Sequence, residues 1–186
     1  MKKIAIIPAR SGSKGLKDKN IIKVCGKPLM SYSIEAAINS KCFDKVIVTT
    51  DSEKYAEIAK KYGAEVILRG ERLSNDNATS YMVIEDVIHK QSNDFDYFVL
   101  LQPTSPMRNE LHIIEAIKKF ENNIVDFDFL VSVKEAENTA DLIKTIYSDE
   151  NLKYFYRNFF YNIMSFIIDS IILEKGRGIY ARKSHS

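Results

Sequence analysis

A chain of 186 residues and 21.3 kDa is the size of one compact α/β domain. Its 45% apolar and 28% charged residues exclude a disordered or collagen-like chain. The 27 Lys+Arg against 25 Asp+Glu leave a net charge of +2, too balanced to point to nucleic acid or an anionic membrane. That charge is unevenly placed. Residues 9–27 hold Arg10, Lys14, Lys17, Lys19, Lys23 and Lys27 against Asp18 alone, a local +5 on a remainder of −3. A basic segment on a mildly acidic background suits a small polyanionic ligand. Cys25 and Cys42 are too few for a disulfide framework and lack metal-ligand spacing, so they read as thiols of a reducing cytoplasm.

The N-terminal run Ile4-Ala5-Ile6-Ile7, closed by Pro8, is too short for the core of an export signal and reads as a buried strand. Up to about residue 133, short β-branched runs alternate with helical patterns. That alternation predicts a three-layer, Rossmann-like α/β core with a mostly parallel sheet. The strands fall at Lys3–Ile7, Lys45–Thr49, Glu65–Leu68, Tyr97–Leu101 and Phe129–Val133. Their continuous apolar character predicts burial on both faces. Between two of them, Ser52–Tyr62 sets Tyr55, Ile58, Ala59 and Tyr62 on one helical face, with Gly63 where a left-handed C-cap is wanted. Asn109 is placed to cap a helix whose buried stripe is Ile113, Ile117 and Phe120. His89 and His112 fall within helices and read as structural.

The last third differs. Tyr154–Leu173 carries seven aromatics, with Arg157 and Asp169 as its only charges, and keeps neither a period of two nor one of 3.6. Asn158, Asn162 and Asp169 each argue against a membrane span. Organisation is therefore read as a core over residues 1–153 and an atypical tail over 154–186.

The chemistry-bearing segment follows the first strand: Pro8-Ala9-Arg10-Ser11-Gly12-Ser13-Lys14-Gly15-Leu16-Lys17-Asp18-Lys19-Asn20. Small residues let backbone N–H groups approach phosphate oxygens, and Arg10, Lys14 and Lys19 offset several negative charges. In an open α/β sheet this loop lies beyond the carboxyl ends of the strands, where ligands bind. It matches neither G-x-x-x-x-G-K-[ST] nor G-x-G-x-x-G. A basic surface loop without a ligand is the plain alternative.

This loop, with Lys19-Asn20-Ile21, resembles the signature of the CMP-sialic acid synthetases, the acylneuraminate cytidylyltransferases. Four further blocks agree in order and spacing across residues 1–133: Ser40-Lys41-Cys42-Phe43-Asp44, Val48-Thr49-Thr50-Asp51, Leu68-Arg69, and Leu100-Leu101-Gln102-Pro103-Thr104-Ser105-Pro106-Met107-Arg108. The resemblance implies a reaction of CTP with a nonulosonic acid, such as N-acetylneuraminate, giving the CMP-sugar and pyrophosphate. It assigns Arg10 and Lys19 to the triphosphate as the catalytic pair, with Lys14 as helper. It places the Ala9 backbone and Asn20 on the nucleotide, Arg69 and Ser80 beside the cytidine, and Gln102 on the sugar acid. It also implies Mg²⁺ and a homodimer.

Each residue has a second reading. Arg69 could be solvated after its strand, Ser80 could be an ordinary helix residue, Pro103 and Pro106 could only shape a turn, and Arg108 could cap nearby carbonyls. Gln102 sits at a strand end, where a buried amide must find partners. The Mg²⁺ ligands are not identified. Asp94-Phe95-Asp96 and Asp126-Phe127-Asp128 each precede a strand, at the edge away from the loop. Asp51 and Asp76 lie on the loop's edge, although Asp51 could simply cap the next helix.

The family's later motifs, Ser-x-Asp-Ile-Asp and Arg-Pro-Asn-Gly-x-Ile-Tyr, are absent from these residues. A shifted reading frame after about Lys153 is one account, and a short homologue borrowing carboxylates from another chain is a second. Other readings are an enzyme for legionaminic, pseudaminic or 3-deoxy-manno-octulosonic acid, a glycosyltransferase using a D-x-D metal site, and a non-catalytic nucleotide-binding remnant. Under the frameshift account, translating the downstream DNA in all three frames reveals Arg-Pro-Asn-Gly or Asp-Ile-Asp; their absence ends that account.

Overall fold

In β1 (Lys3–Pro8) successive side chains point to opposite faces, so Ile4 and Ile6 enter one half of the core while Ala5 and Ile7 enter the other. All four are buried, the mark of a strand covered on both sides. The computed structural model describes residues 1–12, 15–75, 78–92, 94–125, 129–132 and 170–174. The short strands β2 (Lys23–Val24) and β3 (Lys27–Pro28) form a hairpin whose turn residues Cys25 and Gly26 both take positive φ. Helix α1 (Leu29–Ser40) follows directly. β1 pairs in parallel with β4 (Lys45–Thr50) and with β6 (Tyr97–Leu101), so that Ile6 lies between Ile47 and Leu100. β5 (Glu65–Leu68) pairs in parallel with the outer side of β4. These four strands are the predicted ones, each within a residue at its ends.

Helices α1, α2 (Glu53–Lys61) and α4 (Glu110–Glu121) cover the face of Ala5 and Ile7. Helix α3 (Ser80–Lys90) covers the other, where Ile84 and Val87 join Ile4, Ile6, Ile47 and Phe98. The three predicted layers are present. Full burial of such side chains stabilises by about 1.5–3 kcal/mol each, so the two cores dominate over any rim contact.

Local chemistry explains the element ends. Gly63 stops α2 at φ +91, and a Cβ there would lie 3.1 Å from Ile38. Asn109 caps α4 as predicted. Its Oδ1 accepts the His112 N–H at 3.2 Å, and the His112 ring nitrogen Nδ1 accepts the Asn109 N–H at 3.2 Å. Helix α1 was not legible in advance because its buried face includes Ser31, Ser33 and Ser40. Ser31 donates back to the Pro28 carbonyl (2.7 Å) and Ser40 to that of Ala37 (2.6 Å), which removes the cost of burying them.

The far side of the sheet is antiparallel. β8 (Ser170–Glu174) lies between β6 and β7 (Phe129–Val131), giving the order β5-β4-β1-β6-β8-β7. A strand therefore arises within the stretch whose periodicity is broken: the five-residue run suits a position with neighbours on both sides, too short to show as a period. The boundary at Lys153 and most of the tail lie outside the described residues. Among the described residues, no helix is long and apolar enough to cross a membrane.

Carboxylates at the amino edge are engaged with the start of β1. Asp96 accepts the Lys2 N–H at 2.7 Å, Asp94 pairs with the Lys2 ammonium at 2.8 Å, and Asp44 accepts the Lys3 N–H at 2.7 Å. The Asp94–Asp96 pair thus sits opposite the basic loop, as its place before β6 predicts; Asp126–Asp128 lies outside the described residues. Glu121 accepts from the Lys3 ammonium at 2.9 Å and from the Tyr97 hydroxyl at 2.8 Å. Burial pushes the Glu121 carboxyl up, but the hydrogen bonds from Lys3 and Tyr97 outweigh it and leave its pKa below the ordinary value. A depressed carboxylate contributes stability above its unfolded pKa and loses it as pH falls through the folded one. Glu121→Gln should therefore cost about 1 kcal/mol at neutral pH. In urea titrations that difference should shrink as pH falls below the ordinary carboxylate range and vanish once it passes the lowered pKa of Glu121, where the wild-type carboxylate is itself protonated.

Candidate functional site

The basic loop leaves β1 at the carboxyl edge of the sheet. Ala9 continues the ladder by one bond, its N–H donating to the Thr49 carbonyl at 2.9 Å. Whatever Ala9 offers a ligand must then come from its carbonyl oxygen. Ser11 next meets Asp51 twice: its N–H donates to Oδ1 and its hydroxyl to Oδ2, both at 2.8 Å. Asp51 is thus not the cap of α2. Ser52 occupies that position, and the Asp51 side chain turns to the loop.

Two further contacts close the loop. Asn20 is buried, and its amide donates to the Arg10 carbonyl at 3.0 Å, joining the two ends. The Tyr55 hydroxyl, from α2, donates to Asp18 Oδ1 at 3.1 Å. Burial, followed by that bond to Asp18, holds the Tyr55 phenol well above its usual pKa, so it stays a donor. Lys19 rides on a 3₁₀ turn, Lys19–Ile21, immediately after Asp18. Among the described residues no carboxylate pairs with its ammonium.

Arg69 is the departure from the plainer reading. It is not solvated: only 7% of it is exposed, just past β5, where its N–H donates to the Thr50 carbonyl at 2.9 Å. Its Nε has no hydrogen-bond partner among the described residues. Burial lowers its pKa, Asp51 opposes that, and Arg10 adds to the lowering. A guanidinium remains protonated regardless. Arg69 is thus within electrostatic reach of both Asp51, which favours its charge, and Arg10, which opposes it. Arg10 also donates to the Asn75 carbonyl at 3.4 Å.

Gln102 immediately follows β6, beside the carboxyl end of β1. Its carbonyl accepts from Arg108 at 2.8 Å and from the Ser33 hydroxyl at 3.2 Å, and Arg108 also donates to Ser33 at 2.8 Å. Arg108, 8% exposed, caps a carbonyl as read from the sequence, and so fixes the backbone that carries Gln102. Ser80 opens α3, whose cap is Thr79, accepting the Met82 N–H at 3.3 Å. Since α3 connects the parallel strands β5 and β6, its N-terminus also belongs to this edge.

A hydrogen bond thus joins Asn20 to Arg10, and neighbouring residues of β4, Thr49 and Thr50, hold the backbones of Ala9 and Arg69. Lys19 shares the loop of Arg10, while Gln102 and Ser80 share the edge by topology. Lys14 and Asp76 lie outside the described residues. Sequence reasoning missed the roles of Tyr55, Ser33 and Asp51. The one available signal was Asp18, a lone carboxylate in a basic run. Among the described residues no three His, Cys, Asp or Glu side chains converge on a point that would hold a metal.

The four parallel strands thus carry, at their carboxyl edge, a basic loop with Arg10 and, just past β5, the buried Arg69. The chain belongs to the cytidylyltransferase family, whose model matches residues 4–180. It is similar to the N-acylneuraminate cytidylyltransferase of Escherichia coli O18:K1:H7, 46% identical over 152 residues, or 82% of this chain and 36% of that protein. It is also similar to a pseudaminic acid cytidylyltransferase of Campylobacter jejuni, 39% identical over 155 residues, covering 81% of this chain and 65% of the relative. The chain therefore spans about a third of the first relative and less than two thirds of the second. The structure of CMP:2-keto-3-deoxy-manno-octonic acid synthetase complexed with CTP has the same fold. It superposes with a TM-score of 0.65 at 18% identity, over 94% of this chain and 74% of that one.

Asp51→Ala should raise amide hydrogen exchange at Ser11 by at least about tenfold while lowering global stability by only about 1 kcal/mol. NMR exchange rates beside a urea titration measure both.

Proposed function

We propose that this chain binds CTP and transfers its cytidylyl group to a nonulosonic acid of the N-acetylneuraminate or pseudaminate kind. The observation that supports this most is the basic loop at the carboxyl edge: Arg10 within electrostatic reach of buried Arg69, on a loop backbone held by Asp51, Asn20 and Tyr55. The names of the relatives supply the substrates.

In the reaction the anomeric hydroxyl of the sugar acid attacks the α-phosphorus in line. A new oxygen–phosphorus bond forms, the bond to the β-phosphate oxygen breaks, and pyrophosphate leaves as the hydroxyl gives up its proton. Catalysis is then largely positioning and charge neutralisation. Arg10 takes phosphate oxygens through its forked guanidinium, and Lys19 follows as a movable point charge, with Lys14 assisting. Arg69 and Ser80 border the cytidine, the Ala9 carbonyl and Asn20 hold the nucleoside side of the loop, and Gln102 faces the sugar acid.

Mg²⁺ would supply further charge neutralisation on the triphosphate. The described residues do not form a ligand set for it. Asp94 and Asp96 are engaged with Lys2 at the opposite edge, and Asp51 is engaged with Ser11. No step here depends on it.

Pyrophosphate release from CTP, run with N-acetylneuraminate and pseudaminate in parallel, tests the reaction; CTP titration calorimetry tests the binding. Arg10→Ala should weaken CTP binding by at least about tenfold, the cost of losing a charge-assisted contact, and should flatten the salt dependence of binding. A wild-type chain that takes up no CTP overturns the reading.

A further inference from the structure

The contact between Tyr55 and Asp18 joins the hydrophobic core to the basic loop, and neither residue has been given a part in handling the triphosphate. Tyr55 is fully buried, its ring among the apolar residues of the α1–α2–α4 face, and only its hydroxyl reaches outward. Asp18 takes a left-handed conformation, φ +55, which non-glycine residues adopt when something local holds them there. Its carbonyl accepts the Ile21 N–H at 3.0 Å, so the orientation of Asp18 sets that of the turn Lys19–Ile21. Asn20 in that same turn donates to the Arg10 carbonyl. The backbone from which Lys19 projects is thus tied on one side to Arg10, through Asn20, and through Asp18 to a phenol on helix α2.

We propose that Tyr55 is a positioning residue for the triphosphate: by hydrogen-bonding Asp18 it holds Lys19 at the distance from Arg10 that the phosphate chain requires. This rests on the cytidylyltransferase reading above. Asp18 then acts through geometry. As a bare charge it would repel the ligand, yet the loop keeps it because its carboxylate receives the Tyr55 proton donor.

Geometry and charge make opposite forecasts, which calorimetric CTP titrations of the full chain separate. Tyr55→Phe retains the ring and should leave the melting temperature within a few degrees of wild type, yet weaken CTP binding roughly fivefold to tenfold. Asp18→Asn keeps an acceptor oxygen and tolerates the left-handed backbone, so it should stay within about twofold of wild type. Asp18→Ala should bind about fivefold more weakly although it removes a negative charge. Adding Tyr55→Phe to Lys19→Ala should cost almost nothing further, because the lysine that Tyr55 positions is already gone.

Unchanged binding in Tyr55→Phe, tighter binding in Asp18→Ala, or full additivity with Lys19→Ala overturns the positioning role and leaves the cytidylyltransferase reading intact. Should Tyr55→Phe fold poorly, the Asp18 pair decides by itself, since Asp18 lies on a loop outside the core. A wild-type chain that does not bind CTP removes both proposals.

Discussion

The carboxylate of Asp51 is the point on which the carboxyl edge depends. It accepts two hydrogen bonds from Ser11 and at the same time offsets the field of Arg69, a guanidinium buried beside the field of Arg10. A buried cation without such a neighbour would be costly, and a loop rich in lysine without an anchor would drift outward under its own repulsion. One acid counters both tendencies, yet two guanidinium groups and the lysines still exceed it. The positive charge that remains is the feature on which the proposed binding of a polyphosphate rests.

The backbone beneath this edge is ordinary α/β physics. Parallel pairing of β1 with both β4 and β6 forces every connection after these strands to emerge on one side, which brings the loop, Arg69, Ser80 and Gln102 together from distant parts of the sequence. Arg108 and Ser33 show how closely the fold attends to that edge: both are buried, and both point at the carbonyl of Gln102. Relatives named for different sugar acids align over a similar span of this chain.

Much of this was legible in the residues themselves. Continuous apolar runs located the four parallel strands, because strands covered on both faces have no polar side to confuse the pattern. Asn109 and Gly63 marked helix ends because their conformational preferences are local. Helix α1 was harder, since its buried Ser31 and Ser40 are satisfied by backbone carbonyls a turn away and Ser33 by that of Gln102, and all three look polar in a periodicity count. Strand β8 was harder still: it is short, and only its two partners, far off in sequence, give it meaning. At the site, charge and glycine spacing disclosed the loop. The bonds that hold it were hidden, because Asp51 and Tyr55 lie dozens of residues from Ser11 and Asp18, and a carboxylate after a strand looks the same whether it caps a helix or tethers a loop. Arg69 was ambiguous for a related reason, as burial of an arginine depends on neighbours that no single stretch of sequence reveals.

The placement of β8 has a bearing on how the chain is made. Residues 170–174 occupy a slot between β6 and β7, flanked by polypeptide synthesised well before them. While a ribosome is still elongating the chain, β6 has one flank satisfied by β1 and the other open, with unpaired amide and carbonyl groups on an apolar strand. The nascent sheet thus waits, exposed on that margin, until a late segment arrives to fill it, and the interval is one in which chaperone protection has the most to offer.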